Sequence, residues 1–251
     1  MEPIREPIDK ELIKQELTSD KFLRYTNKAD NEIYVVNAHN SPNIMIEIGR
    51  LRELSFRTAG GGTGKSIDID EYDTMENPFE QLIVWDPKAE KILGGYRFFL
   101  GKDVRFNEKG LPLLATSEEF KFSPKFLKEY LPYTMELGRS FVQPDYQSSK
   151  MGSKSLFALD NLWDGIGALM IKNPEMKYLF GKVTIYSQYD EQARDMILGF
   201  VDNLFPDYEK LVKPLDPFKI QFSKQQILDM FAAENIKESY KKLNTAVRAL
   251  G

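Results

Sequence analysis

The chain has 251 residues, of which 42% are hydrophobic and 12% aromatic, enough to fill a core and too many for a disordered chain. It has no cysteine and one histidine, His39, which excludes a disulfide scaffold, a thiolate metal site, an iron–sulfur cluster and a thiol nucleophile, and disfavours a histidine relay. A formal net charge of −4 gives no bulk attraction to nucleic acid.

No run of about 18 apolar residues is present, so no bilayer-spanning helix is expected. The opening M-E-P-I-R-E-P-I-D-K lacks the apolar stretch of a secretory signal, which leaves the cytoplasm as the default compartment. Residues 1–30 read as a charged, helical lead-in, and Ile33–Val36 as a short strand. Ser41-Pro42-Asn43 opens a helix with Ile44, Ile48, Leu51 and Phe56 on one face, ending before the glycines that follow Ala59. Gln81–Trp85 and Lys91–Leu100 flank D-P-K-A-E and read as an antiparallel hairpin. A short helix is expected near Pro124–Tyr130 and a strand over Thr134–Val142. A helix over Ser153–Met170, a strand over Phe180–Ser187 and a helix over Asp190–Phe205, N-capped by Asp190, follow. A strand over Phe218–Phe222 and one final amphipathic helix capped by Ser223 complete the series. Strands and helices in this order predict an α/β (α+β) domain over residues 31–222, followed by a C-terminal amphipathic helix over residues 223–251.

Two patterns invite chemistry and are set aside. Ala59–Ser66 reads A-G-G-G-T-G-K-S, a relaxed phosphate-loop match, but a helix rather than a strand precedes it and an acidic run follows. Within that run Asp68 and Asp70 have calcium-loop spacing, but Asp73 stands where that loop needs glycine. A solvated loop, or partners for buried arginines, is the expected role.

Tyr133–Gly152 reads Y-T-M-E-L-G-R-S-F-V-Q-P-D-Y-Q-S-S-K-M-G. In a regular strand Glu136 and Arg139 would face opposite sides, whereas a bulge at Gly138 would bring both to one face. The pair then forms either a buried ion pair or a carboxylate beside a substrate amine, oriented by an arginine. The sequence V-Q-P-D-Y-Q before a helix start resembles the acyl-donor site of the GNAT acyltransferase superfamily. Val142, Pro144, Tyr146, Gln147 and Gly152 fit its V-x-P-x-Y-[RQ]-x-x-G-x-[GA] pattern, with Lys150 in place of the first glycine.

Further elements are similar to acyl-homoserine-lactone synthases and to ornithine- and glycine-lipid N-acyltransferases, sometimes labelled hemolysin-like. They are R-x-x-x-F at Arg52–Phe56, the acidic Asp68, Asp70 and Asp73, G-x-x-R ending at Arg97, E-L-G-R at Glu136–Arg139, L-W-D-G-I at Leu162–Ile166 and Y-L-F-G at Tyr178–Gly181.

The resemblance implies a GNAT-like mixed, mostly antiparallel central sheet flanked by helices. It also implies transfer of a long-chain, 3-hydroxy fatty acyl group to the amine of an amino acid such as glycine or ornithine, in lipid synthesis. The acyl group comes from acyl carrier protein, through its phosphopantetheine thioester, or from acyl-coenzyme A, and no metal takes part. Glu136 is the expected base, with Arg139 beside it. Phe141 or Val142 offers an N–H to the thioester carbonyl, and Gln147, Lys150, Gly152 and Ser153 hold the donor. Arg52, Arg97 and Arg139 with Asp70, Asp73 and Glu136 form a charge network that either holds the loop or binds the acceptor's carboxylate. Tyr186 or Tyr189 protonates the leaving thiolate or merely packs. Lys121, Lys125, Lys128, Lys150 and Lys154 are either a docking patch for acidic carrier protein or plain surface. The alternatives are an acetyl-coenzyme A enzyme, a lactone-signal synthase, and a non-enzymatic, membrane-active hemolysin-like protein; the terminal amphipathic helix offers peripheral contact with the membrane's inner face.

Overall fold

The computed structural model describes residues 1–147, 153–186 and 188–250. The chain divides into two compact units, Met1–Thr116 with Lys128–Lys182, and Ser117–Leu127 with Val183–Gly251.

The first unit contains the strands β1 (Phe22–Tyr25), β2 (Glu32–Val36), β3 (Glu80–Asp86) and β4 (Lys91–Leu100). After β5 (Phe120–Phe122), which lies in the second unit, come β6 (Thr134–Val142) and β7 (Tyr178–Phe180). They form a six-stranded sheet in the order β1-β2-β3-β4-β6-β7, antiparallel throughout except for the parallel pair β6–β7. This is the mostly antiparallel sheet that the sequence implies. Its helices are α1 (Lys10–Glu16), α2 (Pro42–Thr58), the short α3 (Glu71–Thr74) and α4 (Ser153–Lys172).

Side chains alternate across β3, and each face gains a helix. Ile83 and Trp85 share a buried cluster with Ile44, Met45, Ile48 and Leu51 of α2. Leu82 and Val84 share another with Ala158, Leu162 and Leu169 of α4. Burying one such side chain contributes about 1.5–3 kcal/mol, so these two layers dominate the unit's stability. The start of α2 is capped from outside: Glu16 of α1 accepts the N–H of Asn43 at 3.0 Å and of Ile44 at 2.8 Å. The lead-in is therefore more than a helix, because α1 caps α2 and β1 forms an edge of the sheet.

Two amides of the glycine-rich loop serve a buried carboxylate rather than a phosphate. The buried Glu53 carboxylate accepts the N–H groups of Thr63 (2.9 Å) and Gly64 (2.8 Å), the Thr63 hydroxyl (2.7 Å) and the Arg57 guanidinium (2.6 Å).

The structure corrects several expected elements. The strand anticipated over Phe180–Ser187 ends at Phe180, after three residues pair with β6. The expected short helix near Pro124–Tyr130 is present, with π-helical winding over Phe126–Tyr130. In the second unit the strand is β8 (Val212–Pro214), paired with β5, rather than Phe218–Phe222. The reason lies in α5 (Glu191–Leu204), whose buried Asp195 takes the Gln221 N–H at 3.0 Å, while its Arg194 lies over the Phe218 ring. The expected single final helix is two, α6 (Lys224–Phe231) and α7 (Ile236–Arg248). Ser223 starts α6 with a reciprocal capping box and Asn235 starts α7. Phe200 of α5, Ile227 and Phe231 of α6 and Leu243 of α7 form their common core. Among the described residues no helix is long and apolar enough to cross a membrane.

Two glycines of α4 should respond oppositely to alanine. A Cβ at Gly165 would stand 2.7 Å from Leu82 Cδ2 in the core, whereas one at Gly167 would meet nothing within 4 Å. Gly165→Ala is expected to destabilise by about 1–3 kcal/mol through overpacking. Gly167→Ala is expected to stabilise by about 0.5–1 kcal/mol by restricting the unfolded chain. Urea unfolding of both variants checks the opposite signs.

Candidate active site

The centre of the first unit is a buried cluster of arginines and aspartates. Arg52 of α2 is fully buried, and its Nη1 lies 3.1 Å from Asp73 Oδ2 and 3.3 Å from Oδ1. Its Nη2 donates to Gln81 Oε1 of β3, and Gln81 Nε2 donates to Asp73 Oδ1 at 2.9 Å. Arg97 of β4 reaches Asp70 Oδ1 at 2.6 Å and Asp73 Oδ2 at 3.3 Å, and lies 5.1 Å from the Phe79 ring centroid and 5.7 Å from that of Tyr72. Arg139 of β6 lies with Nε 3.0 Å from Asp68 and Nη2 3.3 Å from Asp70. Asp70 and Asp73 also close a capping box at α3. Three cations thus meet three anions, which is what permits burial. Burial pushes the Asp73 carboxyl up, but Arg52 and Arg97 outweigh it and hold the carboxyl below its ordinary value. Burial pushes Asp68 up, against Arg139 and Arg52. In Arg97 burial acts downward, and Asp73 and Asp70 outweigh it. Arg52 is lowered, its burial outweighing the pull of Asp73.

Glu136 stands outside this network, contrary to the expected pairing with Arg139. Asp68 takes the third anionic place. The β6 bulge explains the arrangement. Gly95 faces Phe141 and Arg97 faces Gly138, so Arg139 and Ser140 together oppose Tyr96. The bulge is one residue later than expected, and Arg139 carries the positive φ of 46°. A left-handed arginine is strained, and its two aspartate partners hold it there.

Glu136 is 4% exposed. Its Oε1 accepts the Thr116 backbone N–H at 2.9 Å, and its Oε2 meets no hydrogen-bond donor among the described residues. Burial raises its carboxyl above the ordinary value, against hydrogen bonds from Thr116 and the charge of Arg97. Glu136 is also the last β6 residue that pairs with β7, facing Phe180. From Leu137 onward β6 has no strand beside it on that edge among the described residues.

The remaining expected residues separate. Phe141 is buried in the α2 cluster, and Val142 packs toward the α4 cluster. The Val142 carbonyl accepts the Ser55 hydroxyl at 3.2 Å and the Gln147 amide. Lys150 and Gly152 lie outside the described residues, while Ser153 begins α4. Tyr186 and Tyr189 lie in the second unit, where the Tyr189 N–H donates to the Tyr186 carbonyl at 3.0 Å. Of the lysines, Lys125 is paired with Glu209 at 2.6 Å, and Lys121 and Lys128 are exposed. His39 lies at a turn, its ring nitrogen 2.9 Å from the Met75 carbonyl. Sequence reasoning missed Gln81, which reads as one more strand residue, and Thr116, which lies in an irregular stretch without a pattern.

A known family described as Acetyltransferase (GNAT) domain matches residues 51–156, which span α2 to the start of α4. Two relatives are each 59% identical over the whole chain. They are glycine N(alpha)-acyltransferases of Phocaeicola vulgatus, of which the chain covers 77%, and of Bacteroides thetaiotaomicron, of which it covers 74%. The chain belongs to the GNAT N-acyltransferases. No solved structure gives a significant match. The enzyme is thus an acyltransferase. Among the described residues no group of three His, Asp or Glu is placed to hold a metal ion.

The cluster makes a stability prediction. Asp73→Ala leaves Arg52 buried without its main counter-charge, which typically costs about 3–5 kcal/mol. Asp73 has a lowered pKa, so its contribution is present above the ordinary carboxylate range and is lost as pH falls through the depressed value. Urea unfolding should therefore show the wild-type advantage over Asp73→Ala at neutral pH and its loss in strong acid.

Proposed function

We propose that the enzyme transfers a fatty acyl group from a thioester to the α-amine of glycine. The observation that carries this reading is Glu136, a buried carboxyl with one oxygen uncommitted, placed where β6 and β7 part. The acceptor comes from the two relatives, whose names state glycine as their substrate.

In this reading the donor's pantetheine arm lies along the unpaired edge of β6 beyond Glu136. Its thioester carbonyl points to the N–H of Phe141 or Val142, and its phosphate to the start of α4 near Ser153, with Gln147 beside it; Lys150 and Gly152, which lie outside the described residues, remain expected donor contacts. The glycine amine attacks the carbonyl carbon. Glu136 takes one proton from the ammonium, the free amine forms the C–N bond, the C–S bond breaks, and the nitrogen's surplus proton passes through solvent or a tyrosine to the leaving thiolate. A base is needed because a protonated amine has no lone pair, and a carboxyl raised by burial is a better base at neutral pH than an ordinary one. Arg139 is the natural contact for the acceptor's carboxylate. It and Asp70 are 28% exposed at their side chains, whereas Arg52 and Arg97 are sealed in at 0% and 2%. The donor we favour is acyl carrier protein bearing a long 3-hydroxyacyl chain, the product an N-acyl amino acid for lipid synthesis, and the place of work the inner face of the membrane.

Purified enzyme should form N-acylglycine from acyl-carrier protein and glycine, assayed beside acyl-coenzyme A and acetyl-coenzyme A. Turnover of the acetyl donor alone would contradict the fatty acyl reading. Glu136→Gln is expected to lower kcat by about 10²–10⁴-fold and to abolish the acid limb of the kcat/KM profile. It should not unfold the enzyme. Because the Glu136 pKa is raised, its favourable contribution holds below the ordinary carboxylate range and is lost as pH rises through the raised value, so glutamine is at least as stable at neutral pH.

Arg139→Gln should lower kcat/KM for glycine by about tenfold or more while leaving glycinamide, which has no carboxylate, nearly unaffected. Equal losses on both acceptors would make Arg139 a purely structural residue.

A further inference from the structure

Thr116 follows the buried Leu114 in an irregular segment and is itself 2% exposed. Its backbone N–H holds Glu136 Oε1 at 2.9 Å, across 20 residues of sequence. Two buried oxygens of this joined pair, Thr116 Oγ1 and Glu136 Oε2, have no hydrogen-bond partner of ordinary geometry among the described residues. Leaving a buried polar atom unsatisfied is costly, so two in residues already hydrogen-bonded to each other call for a shared partner. The hydroxyl nevertheless acts on Glu136, favouring its charged form against burial. A hydroxyl near enough to favour the carboxylate, yet without a hydrogen bond of ordinary geometry to it, and a carboxylate oxygen without a donor together make a seat for one water. Both oxygens can bond to that water, and a buried water needs two or more polar partners.

We propose that Thr116 is a positioning residue for acyl transfer: its N–H fixes the Glu136 carboxylate, and its hydroxyl holds the water that passes the amine proton to Glu136 Oε2. This rests on the reading of Glu136 as the base. The proton balance is simple. The water gives a proton to Glu136 Oε2 and receives one from the attacking nitrogen, and the Thr116 hydroxyl stays protonated throughout. A threonine that merely anchors its loop would need only its backbone N–H and its bulk, both of which valine keeps.

The test compares Thr116→Val and Thr116→Ser in the full-length enzyme with acyl donor and glycine. Thr116→Val should melt within a few degrees of wild type, because the hydroxyl it removes makes no hydrogen bond of ordinary geometry among the described residues. Its kcat should fall at least about tenfold with KM for both substrates unchanged. The acid limb of its pH profile should move to higher pH, since the hydroxyl no longer favours the carboxylate. Thr116→Ser should restore both. Should Thr116→Val fail to fold, Thr116→Ala removes the same hydroxyl without a branched side chain, and the same shift of the acid limb is expected. Wild-type kcat and acid limb in the hydroxyl-free variant, or a serine variant as impaired as it, would overturn the inference. Full activity of Glu136→Gln would overturn the reading of Glu136 and this inference with it. An inactive Glu136→Gln beside a wild-type Thr116→Val would overturn this inference alone.

Discussion

The contact between Arg52 and Asp73, both wholly removed from solvent, is the constraint on which the first unit depends. Arg52 comes from the main helix of one sheet face and Asp73 from the acidic segment that follows it. Gln81, Arg97 and Arg139 bring β3, β4 and β6 to the same cluster. Removing charges from water is costly, and the cost is offset only when every charge meets its opposite at close range. The requirement fixes helix, loop and three strands relative to one another more sharply than apolar packing alone would. It also holds Arg139 in a backbone conformation that favours glycine, and so holds the bulge after Glu136.

That division of roles leaves Glu136 unusual. The neighbouring aspartates are occupied by arginines, whereas Glu136 has one backbone donor and one open oxygen. Its burial raises its affinity for a proton, and its place at the end of the β6–β7 pairing sets it beside an unpaired strand edge. A general base needs both a suitable pKa and geometry, and neither property by itself would single the residue out.

Much of this was legible from the residues. The β3–β4 hairpin, α2 and β6 have strong periodicity or clear stops, and they lie within a residue or two of expectation. Asp190 and Ser223 act as caps because a side-chain oxygen before a helix meets free N–H groups wherever the helix goes. The bulge was visible as a conflict between Glu136 and Arg139, but its position depended on which residue the aspartates would hold. The three-residue strands β7 and β8 left no readable period, and β8 is selected by its pairing with β5, some 90 residues earlier. Thr116 had no local signal at all, since its importance comes from a contact 20 residues distant in sequence. The acidic run could be read as metal ligands or as arginine partners, and only the arrangement in space puts an arginine against each aspartate.

The central claim is that the donor's arm occupies the β6 edge beyond Glu136. Hydrogen–deuterium exchange tests it directly, with a non-reactive thioether analogue of the acyl donor carried on coenzyme A and, separately, on acyl carrier protein. The account predicts slowed exchange at the amides of Leu137–Val142 with at least one carrier, and none at β1, the opposite edge of the sheet. Binding of the analogue without protection over Leu137–Val142 would contradict it.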